Sequence, residues 1–556
     1  MKQAKWRVHN RRGTLINHLL TLRGFNSSSL EPDFVSGLHD PNLLPDMAKA
    51  REIVRRAVKE NWPVAVFGDY DADGTPGAAL LYELFERLGL HCTVFLPTRA
   101  EGYGLNIEAT QKIGKSAKLL VLVDTGITAV ESIAELKKMG VKTIILDHHL
   151  PTETLPDAEA IIDPFLSTST YPFTGLCGCA LAYKFAQALS ADFPQISEGF
   201  LKWQLDLVAI STVADMMELT GENRVLVYYG LKILQKNRRL GLRALLARAA
   251  LDPDKVTAGS IGFIIGPRLN AAGRLSDNRP AFELLVAKQW SDAIKYAEEI
   301  ERANVARLAL VDSVMVEAEA ILQQQNRDDD SVIGIVGEAW PRGVIGLVAG
   351  RLAERHGRPT IIGSKIGDSI RASGRSVGQY HLLDGLTAVG RLLDGYGGHA
   401  QAAGMDLKTQ NWGEFMTELK AHAKSMIGSN VWQPILKADC FIQEQELGLD
   451  TAQSLLKLEP HGLGNRRPMF IIENATLRNG KTVGNGKHLK GTLSLGQSQL
   501  PFIGFSLGLR QADLPDNADL IGHLTINEWN GTKDVQFQLV DIRTPGDDIE
   551  VVENAS

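Results

Sequence analysis

Apolar and polar positions in the first half of the chain alternate between two periodicities. Residues 64–67, 119–123 and 143–146 are short apolar runs rich in Val, Ile and Leu, each stopped by a polar turn, and they predict buried strands. Residues 48–60, 76–88 and 128–139 repeat their apolar positions at helical spacing. The order strand, helix, strand predicts an α/β domain built on a largely parallel sheet. Each predicted strand leads to an acid: Asp69, Asp71 and Asp73 after the first, Asp124 after the second, and Asp147, followed by His148 and His149, after the third. Sheets of this kind bind ligands beyond the carboxyl ends of their strands, so these side chains are expected to meet there.

Further along, an apolar segment at residues 205–214 closes on Asp215, a place where an isolated Asp ordinarily caps a helix. Residues 291–325 keep helical spacing throughout, with Ile294, Ala297, Ile300, Val305, Leu308 and Val311 on one side. Such a helix would be about 50 Å long, enough to bridge two lobes across an open groove. Residues 326–330 read as a solvated break. A second lobe then opens with the strand 332–336 and carries two glycine-rich turns, 371–376 and 397–404. Residues 431–543 alternate short apolar runs, such as 492–495 and 535–540, with Gly and Asn turns, which predicts a small barrel. The resulting organisation is a lead-in (1–47), a parallel-sheet domain (48–290), a connecting helix (291–328), a second α/β domain (329–430), a barrel (431–545) and a disordered acidic tail (546–556).

Composition adds three constraints. With 556 residues the chain is too long for one core, and 44% hydrophobic and 22% charged residues are the proportions of a soluble globular protein. The net charge of −6 exerts no overall pull on nucleic acid, so any such surface must be local. One candidate lies between Arg466 and Arg510, where Arg466, Arg467, Arg478, Lys481, Lys487, Lys490 and Arg510 face one acid, Glu473. Phe470, Phe502, Phe505 and Trp529 in this region either stack on bases or fill the barrel. The four cysteines form no framework for so long a chain and read as reduced cytosolic thiols; Cys177 and Cys179 are too close for the usual zinc pair. The apolar run at residues 15–22 is broken by Asn17 and His18, and no stretch reads as a signal peptide or a membrane span.

Three carboxylates at alternate positions, 69, 71 and 73, repel strongly unless cations lie between them, which asks for hard ions such as Mg²⁺ or Mn²⁺. The plain alternative is a solvated acidic turn. A calcium loop counted from Asp69 would need a Glu at its twelfth position, where Leu80 stands. No Walker A sequence is present either, since Gly484-Asn485-Gly486-Lys487 is followed by His488.

Asp147-His148-His149, with Gly68-Asp69-Tyr70-Asp71-Ala72-Asp73-Gly74 before it, resembles the DHH phosphoesterase family, most closely its branch that degrades single-stranded DNA from the 5′ end. The resemblance runs over nearly the whole chain. It implies two divalent ions, Mn²⁺ or Mg²⁺, held by Asp71, Asp73, Asp124, His148 and Asp215 with Asp69 at the margin, Asp124 bridging the pair, and Asp147 and His149 supporting or facing the phosphate. It implies substrate contacts at Arg268, Asn270 and Arg274, a stretch that on its own is equally open to surface salt bridges. It identifies the second α/β domain as DHHA1-like, with Arg371, Ser373, Arg375, Ser376, Gly397, Gly398 and His399 as a phosphate cradle. It identifies the barrel as OB-like, with Arg466, Arg467, Lys481, Lys487 and Lys490 on nucleic acid. The implied activity is 5′-to-3′ exonucleolytic release of mononucleotides in DNA repair and recombination by a cytoplasmic monomer, with a helicase and a single-strand-binding protein as partners. Two positions depart from the family pattern: Pro341 follows Trp340 where a His is usual, and Phe67 stands where some members carry a His. A phosphodiesterase acting on short oligonucleotides or cyclic dinucleotides would share the metal centre but generally lacks the basic barrel. A non-catalytic relative would have lost metal-binding acids that are intact here.

Overall fold

The computed structural model describes residues 4–98, 104–275, 278–325, 330–378, 380–427, 435–529, 531–546 and 549–553. The first sheet has five parallel strands, in spatial order Cys92–Phe95, Val64–Gly68, Leu119–Val123, Lys142–Leu146 and Ala160–Ile162. All three predicted strands are present, and each edge carries one more. The central strands are buried along their whole length, as expected where helices cover both faces. Val66, Val121 and Val123 enter one core with Leu84 and Phe185, while Phe67, Leu120 and Leu122 enter the other with Ile133 and Leu136. Predicted helices form at Met47–Glu60, Gly74–Arg87 and Val130–Lys138. The helix Glu198–Ala214 is started by the Ser197 side chain, which accepts from the Phe200 amide, and ends with Asp215 as its C-cap.

The chain divides into two compact units, residues 10–304 with 439–547, and residues 305–438 with the two termini. The long predicted helix is continuous at Trp290–Gln325, 36 residues. Its Ala293, Ala297 and Ile300 belong to the core of the first unit, and its Val311, Val314, Met315 and Ala318 to that of the second. Of the break expected at 326–330, residues 326–329 lie outside the described residues, while Asp330 is described and pairs with Lys420 at 2.5 Å.

In the second unit, Ile333–Glu338 and Thr360–Ile366 are parallel and the remaining strands of the five-stranded sheet antiparallel. The glycine-rich stretch at 371–376 is not a turn, as the sequence predicts, but largely the strand Ser369–Arg375. Ile370, Ala372 and Gly374 alternate inward, and this period-two pattern outweighs the turn signal of a single glycine. The second stretch is a hairpin, Gly395–Gly398 paired antiparallel with Ala402–Lys408.

The barrel closes when Phe470–Val483 pairs with both His488–Leu495 and Asn517–Trp529, the circuit continuing through Ser498–Gly504 and Thr532–Arg543. Phe470, Phe502 and Phe537 are fully buried at its centre. Two of the four aromatics considered for base stacking are therefore core residues. Phe505 is half exposed and meets His488 edge to face at 5.3 Å, and the Trp529 side chain lies outside the described residues.

The termini differ most from expectation. The lead-in is no plain extension: Lys5–His9 is the middle strand of a three-stranded parallel sheet, with Ile435–Ala438 on one side and Ile549–Val552 on the other. The tail predicted to be disordered thus supplies a strand, because Ile549, Val551 and Val552 are β-branched apolar residues inside an acidic composition. The lead-in also lends Leu15, Leu19 and Leu20 to the barrel core, while Phe34 and Leu38 pack against the core of the parallel-sheet domain.

Removing residues 547–556 should strip one edge strand from the sheet that buries Trp6. The expected cost is about 1–3 kcal/mol, read as a lower Tm and a red shift in tryptophan emission. A shortened chain that melts with the full chain would contradict the pairing.

Candidate metal centre

The carboxyl ends of the strands Val64–Gly68, Leu119–Val123 and Lys142–Leu146, with the end of the helix Glu198–Ala214, deliver acids and imidazoles to one place. Three groups have ligand atoms within 4.8 Å of one another: Asp69 with Asp71 and Asp124, Asp73 with His148 and Asp215, and Asp124 with His148 and His149. Asp124 and His148 each belong to two groups, so the groups overlap. His148 Nε2 lies 3.1 Å from Asp124 Oδ1, 3.6 Å from Asp215 Oδ2 and 3.7 Å from Asp73 Oδ2. Carboxylate oxygens with one imidazole nitrogen are the donors that Mg²⁺ and Mn²⁺ take, so the residues fit two neighbouring hard cations.

Local backbone chemistry holds these acids in place. Asp71 Oδ1 accepts from the amides of Asp73 and Gly74, which turns the chain into the helix Gly74–Arg87. Asp73 is fully buried, and its two oxygens accept from the amides of Gly178 and Cys179 at 2.7 and 2.8 Å. These amides open the helix Gly178–Leu189, whose positive end steadies the carboxylate. Asp124 sits at φ 61°, a left-handed conformation costly for a non-glycine residue and typical of functional sites. A Cβ on Gly178 would lie 2.5 Å from the Asp124 Cβ, so only glycine allows helix and acid to meet. Asp147, also buried, accepts from the amides of His148 and Ile127 and from His149 Nδ1 at 2.7 Å. It acts through His149, fixing which nitrogen of that ring faces outward.

Charge crowding shows in the proton affinities. Burial and then neighbouring carboxylates push Asp124 well above the usual carboxylate range, and the same causes bring Asp215 up to about 8. Asp73 is raised mainly by burial, although His148 works against it. Burial lowers the His148 imidazole. Burial also opposes charge on His149, but its hydrogen bond and ion pair with Asp147 prevail and lift it to about 9.

Two contributors escape the sequence reading. Cys177 and Cys179, considered there only as thiols, matter for the backbone: Cys177 caps the helix, and the next two amides hold Asp73. Asp163 follows the strand Ala160–Ile162 as the other acids follow theirs, so the signal of an apolar run ending on Asp was present. It is fully buried, accepts from the Phe165 amide, and is raised to about 7 by burial and then by Asp147.

The expected substrate residues fare unequally. Arg268 is held by Glu301 in a two-pronged pair, at 2.6 and 3.2 Å, and donates to the Ile264 carbonyl, so the salt-bridge alternative describes its contacts in this structure. It shares the helix Gly266–Leu275 with Asn270 and Arg274, and that helix passes the first acidic turn: a Cβ on Gly273 would lie 2.8 Å from the Tyr70 carbonyl. Arg371, Ser373 and Arg375 point to one face of their strand; Arg371 pairs with Asp406 at 2.5 Å, and Arg375 donates to Ser373 Oγ. Register sets Ser373 beside Gly404 and Gly404 beside Gly397, glycines whose missing side chains leave that strip of backbone open. Gly398 and His399 sit at the hairpin's end, whereas buried Ser376 donates to the Tyr380 carbonyl and serves the fold. In the barrel, Lys481 pairs across the strands with Lys490, and both are exposed with Lys487 around one hairpin. Arg466 meets Asp439 at 3.4 Å and Arg467 meets Gln538. Phe67 is buried in core and offers no ligand; Pro341 caps a helix, while Trp340 donates to Glu317.

Gly178→Ala should displace Asp124 by steric overlap worth about 1–3 kcal/mol, weakening Mn²⁺ affinity measured by calorimetry at least tenfold while the helix content is kept. Asp163→Asn should raise Tm at pH 8 in chelator, with the gap closing toward pH 5. The folded carboxyl keeps its proton to about 7 and the unfolded one releases it near 3.8, so the wild type loses stability as pH rises between them. A constant gap across that window would show that the Asp163 titration does not shape stability.

Comparison with known proteins matches residues 63–212 to the DHH family, N-terminal domain, residues 329–426 to the DHHA1 domain and residues 438–541 to the RecJ OB domain. The single-stranded-DNA-specific exonuclease RecJ of Dickeya dadantii is 33% identical over 548 residues, covering 94% of this chain and 95% of that protein. Its counterpart from Escherichia coli is 32% identical over 94% of each. The crystal structure of RecJ in complex with Mn²⁺ from Thermus thermophilus superposes with a TM-score of 0.84 at 26% identity, covering 98% of this chain and 80% of that one. With these three domains in this order and the likeness running nearly from end to end, the chain belongs to the RecJ family of DHH phosphoesterases.

Proposed function

We infer that the chain is a metal-dependent exonuclease that hydrolyses single-stranded DNA in the 5′-to-3′ direction and releases mononucleotides, in DNA repair and recombination. The observation that carries this reading is the overlap of ligand groups through Asp124 and His148, which suits two divalent ions, Mn²⁺ or Mg²⁺, sharing one carboxylate. Such ions, when bound, supply a nucleophile at neutral pH and neutralise charge on the phosphoryl oxygens. Asp69, Asp71, Asp73, Asp124, His148 and Asp215 would hold them. His149, oriented through Nδ1 by Asp147 and holding its proton to about pH 9 without metal, would give the Nε2 proton to the departing oxygen.

The remaining assignments rest on charge and exposure. Lys481, Lys487 and Lys490 present a compact cationic hairpin to the phosphate backbone, with Arg466 and Arg467 elsewhere on the barrel domain. Arg371, Ser373 and Arg375, with the open glycine strip, form the cradle for the strand end. Among the described residues no helix is long and apolar enough to cross a membrane. A cytoplasmic monomer that works beside a helicase and a single-strand-binding protein is the setting that fits an enzyme needing its strand laid bare.

Asp124→Ala should lower hydrolysis by at least about 10³-fold, an effect of the size expected when a group central to charge stabilisation is lost. With Mn²⁺, a 5′-labelled single strand should release its label at once, a 3′-labelled strand only late, and a blunt duplex hardly at all. Activity persisting in the variant would remove Asp124 from the chemistry, and equal attack on the duplex would end the single-strand assignment.

A further inference from the structure

A cavity of about 590 Å³, the scale of small-molecule sites, lies in the parallel-sheet domain away from the metal centre. It opens between the last turn of the helix Gly74–Arg87, the first half of Glu198–Ala214, the start of the helix Leu240–Arg248 and residues 285–288. Asp73 and Asp215 stand at the opposite ends of the first two helices, which at the usual rise per residue puts them about 20 Å away. The polar lining falls into two sets. The inner set is closed on itself: Arg239 donates to Asp206 at 2.9 Å and to Glu83 at 2.6 Å, and Gln204 donates to Glu83 at 2.7 Å, which ties the two helices together. At the rim, Lys288 is paired with Glu86. The outer set is open. Arg87 Cζ lies 4.6 Å from the Phe200 ring centroid and Arg238 Cζ 4.4 Å from that of Trp203, and both guanidinium side chains belong to exposed residues. Arg87 gives one N–H to the Gln195 carbonyl at 3.4 Å, but among the described residues neither arginine pairs with an acid.

A guanidinium laid on a ring is held in place while its edge N–H groups stay available, so little freedom is lost when it meets a phosphate. Leu240, Leu285, Val286 and Ala287 supply an apolar wall to the same cavity. This combination selects the ligand. An inorganic anion would leave the wall facing water, and an apolar body would desolvate two guanidiniums without pairing them. A nucleoside phosphate meets both demands, with its base against the wall and Trp203 and its phosphate on the two forks.

We propose that this cavity is a nucleotide site separate from the metal centre, taking a nucleoside monophosphate whose phosphate is held by Arg87 and Arg238. The buried Arg239 cluster shapes the floor, and the two stacked arginines do the binding. The site does not depend on the nuclease reading, because none of its residues belongs to the metal centre.

Calorimetry on the full chain in chelator, where no metal-bound nucleotide contributes, should find one deoxyadenosine monophosphate per chain. Deoxyadenosine and inorganic phosphate should each bind at least about tenfold more weakly, since each meets only half of the lining. Arg87→Ala and Arg238→Ala, both at exposed positions that leave the fold intact, should each weaken the nucleotide about tenfold. Ala287→Trp, which fills the cavity and keeps the charges, should abolish binding. Tryptophan emission should fall as the nucleotide binds, and Trp203→Phe should remove that change while calorimetry still detects binding. No binding in chelator, inorganic phosphate held as tightly as the nucleotide, or an affinity unmoved by the two arginine variants would overturn the site.

Discussion

Repulsion among buried carboxylates is the constraint on which the first domain depends. Asp69, Asp73 and Asp124 are almost wholly withdrawn from water, and Asp71 and Asp215 stand against them. Anions so placed are tolerable only if something positive faces them. The fold supplies part of that charge from its backbone: the amides of Gly178 and Cys179 at a helix start hold Asp73, and backbone amides hold Asp71 and Asp147. Divalent cations supply the rest. Rigid strand ends and a glycine that lets a helix touch Asp124 are what that arrangement requires of the backbone.

Much of this was legible in the sequence, for a physical reason. A strand buried on both faces must be a continuous apolar run, so the runs before Asp69, Asp124 and Asp147 stood out, and parallel order placed their ends together. The missed acid, Asp163, follows a run of only three residues, too short to register as a strand. The amides that bind Asp73 could not be read, since every residue but proline has one and only tertiary contact gives it a partner. Arg268 shows the reverse limit. Its motif suggested a ligand for phosphate, but the partner it has, Glu301, lies on another helix more than thirty positions away. In the tail, acidic composition masked three β-branched residues that suffice for an edge strand once Lys5–His9 is there to pair with.

A chain with net charge −6 that handles a polyanion has to keep its cations apart from its anions. It does so partly by pairing. Arg239, largely buried, faces Glu83 and Asp206, and Arg268 faces Glu301, so the charge of these guanidiniums is met by acids of the same unit. The exposed lysines of the barrel hairpin carry no such pairing among the salt bridges of the described residues, and their charge reaches solvent.

Proton and metal occupancy of the centre are linked. Burial and crowding lift Asp124 and bring Asp215 up to about 8, so divalent ions compete there with a proton on Asp215, and metal affinity rises as pH rises through the range near 8. The same ions act on His149. Its proton is held to about 9 by Asp147 while negative charge dominates around it, and positive charge arriving nearby lowers that value. A group whose affinity is lowered from about 9 gives up its proton more readily, so the Asp147 hydrogen bond and the incoming cations pull the His149 proton in opposite directions.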